Sequence, residues 1–402
     1  MQPKELLAFQ TDLLKELIAN SELSNLTEKL SYTVGCPVVL TNPSYRIITT
    51  AGLKQRLLNN YLQITPSKSA NYHMLKISED QTDQGFVFPI KSKHENLGFL
   101  VFFCAETERE KVTEYAAIAT DICAIYLIKQ NQINLAERQL KDPFVFDLLY
   151  GNMNSDEDII NRGKLWGWDM EKPHCVVVFE LDGYEQYTSD KQIALSLLDI
   201  VESEMVKMEQ PPITFRKKGQ VTAVLTLDIK RALERKAYIN ILVRRVLGLA
   251  KELYPNKVVS VGSGRTYPKP SDIFRSYQEA KVALELGRIM NIRSKTPFFR
   301  DLGLARILYN HDQQELAEFY NDNLGELIRY DQEQKTEFVK TLESFFLNHC
   351  DLKAAADDLF LHPNTLRYRL KKIEEIMEID LDDIDTRLDL MTAFKIKHIK
   401  KV

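Results

Sequence analysis

Asn364, Thr365, Arg367, Tyr368, Lys371 and Lys372 stand within one short run near the C-terminal end of a 402-residue chain, and their chemistry suits a nucleic-acid surface. An asparagine amide pairs bidentately with adenine, a guanidinium with guanine, and an ammonium with phosphate. His362 stands just ahead of the run, and Arg369 lies within it, nearer the apolar edge. With successive helical residues 100° apart, Leu366, Leu370, Ile373 and Met377 form a narrow stripe opposite Asn364, Tyr368, Lys371 and Lys372. The expected DNA-binding set is therefore His362, Asn364, Thr365, Arg367, Tyr368, Arg369, Lys371 and Lys372. A basic amphipathic helix on its own is more often a solvated face than a reading surface.

The preceding residues reverse that balance. Leu352, Ala355, Ala356 and Leu359 make one apolar helical face, and the paired alanines allow a second helix to approach closely. Asp351 is a suitable N-cap for this first helix. Pro363 is tolerated in a first helical turn, with Asn364 and Thr365 available as caps for the second helix. Two short helices across a tight turn read as a helix-turn-helix.

The stretch KTLESFFLNHCDLKAAADDLFLHPNTLRYRLKKIEEI, continued by DLDDIDTRLDLMTAF, closely resembles the C-terminal helix-turn-helix of the PucR/CdaR group of bacterial transcriptional regulators, which includes sugar-diacid and purine-catabolism regulators. Pro363 departs from the pattern, because many relatives carry a basic residue there in an HRNTL sequence. The resemblance implies a double-stranded DNA operator, a small-molecule metabolite effector, a homodimer or higher homo-oligomer, and contact with RNA polymerase if the protein is an activator. It also implies control of a carbon or nitrogen catabolic operon.

Composition narrows the classes. A net charge of -4 and a pI near 6.1 argue against a protein that coats nucleic acid or anionic membrane through its overall field, so any DNA contact is local. The basic face must then be segregated from Asp380, Asp382, Asp383 and Asp385. Cys36, Cys104, Cys123, Cys175 and Cys350 are widely scattered, with no CxxC pair and no histidine at metal spacing. Buried reduced thiols are expected, with no disulfide frame, metal or cofactor. The N-terminus carries acids and is unlike a signal peptide, and the apolar run YAAIATDICAIYLI is broken by Asp121 and too short for a bilayer. A cytoplasmic protein is expected.

The elements that must position the C-terminal motif suggest a multidomain α+β chain. Residues 1–130 read as helices around extended pieces, resembling a GAF or PAS-like sensory domain, with a long helix continuing to about 150. Arg46, Tyr61, Tyr72, His73 and Lys91 are polar candidates there, but each reads first as a surface or satisfied edge group, so the effector-binding residues stay unassigned. Apolar residues Val112, Tyr115, Ala119, Ile122, Ile125 and Tyr126 recur at helical spacing. That helix serves equally as a dimerisation element or as one packed on its own domain, and Asp142-Pro143 is expected to break it.

Residues 155–296 alternate strands and helices in the order of an antiparallel α+β palm. ELDGYEQY, and VSVGSG followed by YQEAKVALELGR, resemble the GGDEF domain of diguanylate cyclases. That resemblance implies a hairpin whose glycines approach a nucleotide and whose acids join a first-strand carboxylate in holding magnesium. Here the turn reads Lys217-Lys218-Gly219-Gln220-Val221, so both acids and one glycine are missing. Glu180 and Asp182 remain, and a solvated loop explains them as well as a metal site does. The expectation is a degenerate, non-catalytic scaffold for packing and dimerisation. The alternative is a divergent nucleotide-binding or cyclase-like enzyme, and a third reading is an interaction scaffold that does not bind DNA. GSG at 262–264 is too short for a phosphate loop. Residues 297–402 are expected to be an all-α bundle carrying the helix-turn-helix, with Asp331 at a turn or cap and Glu333 and Lys335 on the next helix.

Overall fold

A computed structural model describes residues 3–19, 22–53, 60–66, 72–78, 81–92, 95–292 and 296–400. The chain divides into two compact units, Met1–Phe144 and Val145–Val402.

The first unit begins with α1 (Pro3–Ile18) and α2 (Leu23–Val34), followed by strands β1 (Val38–Thr41), β2 (Ile47–Ala51), β3 (Gln63–Pro66), β4 (Tyr72–Ser78), β5 (Gln81–Ser92) and β6 (Glu95–Phe102). They form one antiparallel sheet in the order β2-β1-β6-β5-β4-β3. Leu40, Phe86, Leu100 and Phe102 bury one face in a core shared with Leu26, Leu30 and the long helix α3 (Arg109–Tyr150). Val39, Val87, Val101 and Phe103 point into a second cluster, as the two-residue period of a strand requires.

Three expectations change here. Pro143 does not break α3, which runs as one helix of 42 residues with the proline inside it. Phe144, Val145, Leu148 and Leu149 are all buried immediately after the proline, and that packing outweighs one lost backbone donor. The cysteines are not all isolated: continuing the β1–β6 register, in which Val38 faces Phe102, places Cys36 opposite Cys104. Their thiols share a hydrogen bond that pushes Cys36 up and draws Cys104 down. Finally, Arg46 and His73 are half-buried, and the Arg46 Nε and His73 Nδ1 have no hydrogen-bond partner among the described residues, so neither is a satisfied surface group. In α3 itself, Val112, Tyr115, Ala119 and Ile122 pack back on the sheet, whereas Ile125 is half exposed and residues 129–137 are exposed.

The second unit continues with α4 (Asp156–Leu165), β7 (His174–Leu181), α5 (Asp190–Lys207), β8 (Ile213–Lys217), β9 (Gln220–Thr226), α6 (Ala232–Leu253), β10 (Val259–Ser263) and α7 (Ile273–Ile289). The sheet is wholly antiparallel, in the order β10-β7-β9-β8. Cys175 to Phe179 are fully buried, the continuous apolar run of a central strand covered by helices. The glycines of GSG serve packing. A side chain at Gly262 would strike the Ala280 carbonyl, and one at Gly264 the Ser276 carbonyl, so β10 lies directly on α7.

Helices α8 (Ala305–Tyr309), α9 (Gln313–Gln334), α10 (Phe338–Leu347), α11 (Leu352–Asp358), α12 (Pro363–Met377) and α13 (Ile384–Lys400) follow, around one apolar cluster. Asp331 lies in the last turn of α9, and its carboxylate accepts from the Phe338 and Val339 amides at 2.8 and 2.9 Å, capping α10. Glu333 is on α9 itself and Lys335 is its left-handed C-cap, so neither sits on the following helix. Among the described residues no helix is long and apolar enough to cross a membrane.

Candidate nucleic-acid interface

Asp351 starts α11 by accepting from the Ala354 amide at 2.7 Å. Ala355 and Ala356 are fully buried against α12, with Leu352 and Leu359 half-buried beside them. The turn places Phe360 in a left-handed conformation and leaves its ring almost wholly exposed. The cap of α12 is His362, whose Nδ1 accepts from the Asn364 amide at 3.2 Å, with Pro363 at the first helical position. Asn364 and Thr365 therefore do not cap α12 but stand in its first turn, with their side chains exposed.

On α12, Leu366, Leu370 and Ile373 are buried and Met377 is half-buried, so the apolar stripe faces the bundle. Asn364, Thr365, Arg367, Tyr368 and Lys371 are exposed on the other side. Arg367 Nη1 donates to Asn364 Oδ1 at 3.2 Å, holding the two side chains together one turn apart. Lys372 is half-buried and ion-paired with Glu375 at 3.0 Å, a contact that pushes its ammonium up. Arg369 is also half-buried, and its Nη1 donates to Thr341 Oγ1 of α10 at 3.1 Å. It ties α12 to its support, which sets it apart from the solvent-facing residues of the expected set. Two of the four acids are engaged locally: Asp383 accepts from the Thr386 amide at the start of α13, and Asp382 pairs with Arg387. Exposed Phe360 was missed, because an aromatic in a turn carries no periodic signal.

Glu180 lies in β7 and Asp182 in the turn that follows it, and both are half-buried and bonded. Arg288 of α7 bonds both, at 2.9 Å to Glu180 Oε1 and 2.9 Å from its Nε to Asp182 Oδ1. Gln220 donates to Glu180 at 2.6 Å and Ser260 to Asp182 at 2.8 Å. The hairpin turn holds only Lys218 and Gly219, with Lys218 left-handed, and no carboxylate enters it. These residues do not fit the magnesium site of a GGDEF enzyme, since a guanidinium already occupies the two carboxylates. No group of three or more potential ligands that could hold a metal occurs among the described residues.

Residues 150–286 match the model of the GGDEF-like domain and residues 338–396 that of the PucR C-terminal helix-turn-helix domain. The proline-responsive transcriptional activator PutR of Bacillus subtilis is 24% identical over 434 residues, covering 96% of this chain and 99% of that protein. The purine catabolism regulatory protein of the same organism is 23% identical over 95% of this chain and 72% of its own length. The carbohydrate diacid regulator of Escherichia coli is 24% identical over 78% of this chain and 80% of its own. The chain thus carries a GGDEF-like domain followed by a PucR C-terminal helix-turn-helix domain, and it is similar along most of its length to regulators of the PucR/CdaR type.

Proposed function

We propose that the protein is a ligand-responsive, DNA-binding transcriptional regulator, an activator of a carbon or nitrogen catabolic operon, working in the cytoplasm as a homodimer or higher homo-oligomer. The observation that carries the reading is the solvent face of α12, where Asn364, Arg367, Tyr368 and Lys371 are exposed together while the leucines of the same helix are buried. The named activities of the relatives, proline response, purine catabolism and carbohydrate diacid regulation, support the metabolic setting. In this reading Asn364 and Arg367 touch base edges, and Thr365, Tyr368, Lys371 and Lys372 the backbone. His362 and Arg369 position the helix by capping and tethering it. Two copies would meet two half-sites, and RNA polymerase would be the partner of the activated complex.

The proposed organisation is a GAF/PAS-like sensor over residues 1–130 with its helix running to about 150, a GGDEF-like domain over 155–296, and the DNA-binding bundle over 297–402. The six-stranded antiparallel sheet backed by helices supports the sensor assignment. The ion-paired carboxylates and the two-residue hairpin support a non-enzymatic middle domain. Footprinting of adjacent promoters with the full chain, with and without a panel of catabolites, tests the whole reading. A protected operator whose occupancy one catabolite changes is expected, and absence of any protected site at low salt contradicts it.

A further inference from the structure

A cavity of about 1420 Å³ opens in the GGDEF-like domain, bounded by the β8–β9 turn, the ends of β7 and β10, and helices α6 and α7. Its lining holds Lys217, Lys218, Lys236, Arg244, Lys281 and Arg288 against three carboxylates, Glu180, Asp182 and Asp301. Those carboxylates are already engaged, the first two by Arg288 and the third by Lys236. Lys217, Lys218, Arg244 and Lys281 pair with no carboxylate among the described residues. Two of them gather on one stretch of wall. Lys217 Nζ donates to Tyr150 Oη at 3.1 Å and lies 5.2 Å from its ring centroid, and Lys281 Nζ lies 5.6 Å from the ring of Tyr277. The two tyrosine rings are 5.5 Å apart. Like charges collected at a concave wall, with the nearby carboxylates spent, attract an anion.

We propose that this cavity binds a small anionic metabolite, one carrying a phosphate or carboxylate group, directly on Lys217 and Lys281 and without a divalent metal. Arg288 excludes the metal by holding both carboxylates that a cation would need. The volume exceeds the roughly 300–1,000 Å³ of ordinary ligand clefts, which leaves room for the rest of the molecule. The wall also senses occupancy. Tyr150 ends α3, Tyr277 donates to Gln220 Oε1 at 3.1 Å, and Gln220 donates to Glu180, so an anion drawing Lys217 away from Tyr150 alters a chain of contacts that starts at the end of the long helix.

Binding itself rests on the cavity; only its role as an effector site rests on the regulator reading, so binding is measured without DNA. Inorganic pyrophosphate and citrate are each titrated calorimetrically into the full chain in the presence of EDTA. At least one is expected to bind, pyrophosphate alone marking a phosphate site and citrate alone a carboxylate site. Affinity should fall at least tenfold in the Lys217→Ala/Lys281→Ala double variant and stay unchanged in Arg367→Ala/Lys371→Ala, with the thermal midpoint of each variant near that of the parent. Binding of neither probe, binding that appears only with magnesium, or an affinity unmoved by the first double variant overturns the proposal. A failed promoter footprint with intact anion binding sinks the regulator reading and leaves the cavity assignment standing.

Discussion

Arg288 and Arg367 both project from helices of the second unit, and their surroundings separate them. Arg288 is three-quarters buried and bonded to three carboxylates, Glu180, Asp182 and Glu285, the first two of which have further partners in Gln220 and Ser260. Arg367 is exposed, and its one hydrogen bond among the described residues goes to a neutral amide on its own helix. A guanidinium spent on carboxylates fixes a structure, whereas one resting on an amide keeps its charge for a partner. The same division runs along α12, where Lys371 faces solvent, Lys372 holds Glu375, and Arg369 holds Thr341. Charge alone therefore does not identify a binding surface, since availability depends on what each cation already touches.

The contrast can be broken most severely from its buried side. Leu370→Asp places an unpaired carboxylate in the bundle and should cost about 3 kcal/mol or more, read as lost helicity and a lower thermal midpoint alongside lost DNA binding. Arg367→Ala, by comparison, should leave stability within about 0.5 kcal/mol. If both variants unfolded alike, Arg367 would be structural.

Arg288→Ala is expected to destabilise the middle domain by about 2 kcal/mol, less than a fully buried pair because all three side chains keep some solvent. Adding Glu180→Gln and Asp182→Asn should recover part of that loss in denaturant titrations, because the carboxylates then no longer repel each other. Tighter folding of the single variant would show that Arg288 is not what holds them. The smallest difference is the sharpest. Lys371→Ala should flatten the salt dependence of operator binding by about one phosphate contact. Lys372→Ala should do less, since Glu375 already neutralises it, and equal slopes would erase the distinction drawn from their partners.

The orientation of α12 was legible because period and burial agree: Leu366, Leu370 and Ile373 had only one way to face. The antiparallel α+β palm was legible from its alternation of strands and helices. Contacts between residues distant in sequence were not. No local pattern announces that Arg288 reaches Glu180 and Asp182 across more than a hundred positions. Nor does any local pattern bring Cys36 opposite Cys104. Pro143 misled for the opposite reason: its local rule is sound, and the buried side chains that follow it outweigh that rule. His362 was grouped with the reading residues by its position, yet its ring nitrogen is used to cap the helix.

The central claim is that the solvent face of α12 reads an operator. Quantitative footprinting of the chain's own upstream promoter, comparing the parent protein with Asn364→Ala and Arg367→Ala at fixed salt, tests it most directly. Each substitution should weaken protection by about 1–3 kcal/mol and relax the preference at one base pair per half-site, with the fold retained. Footprints indistinguishable from the parent in strength and sequence preference would contradict it.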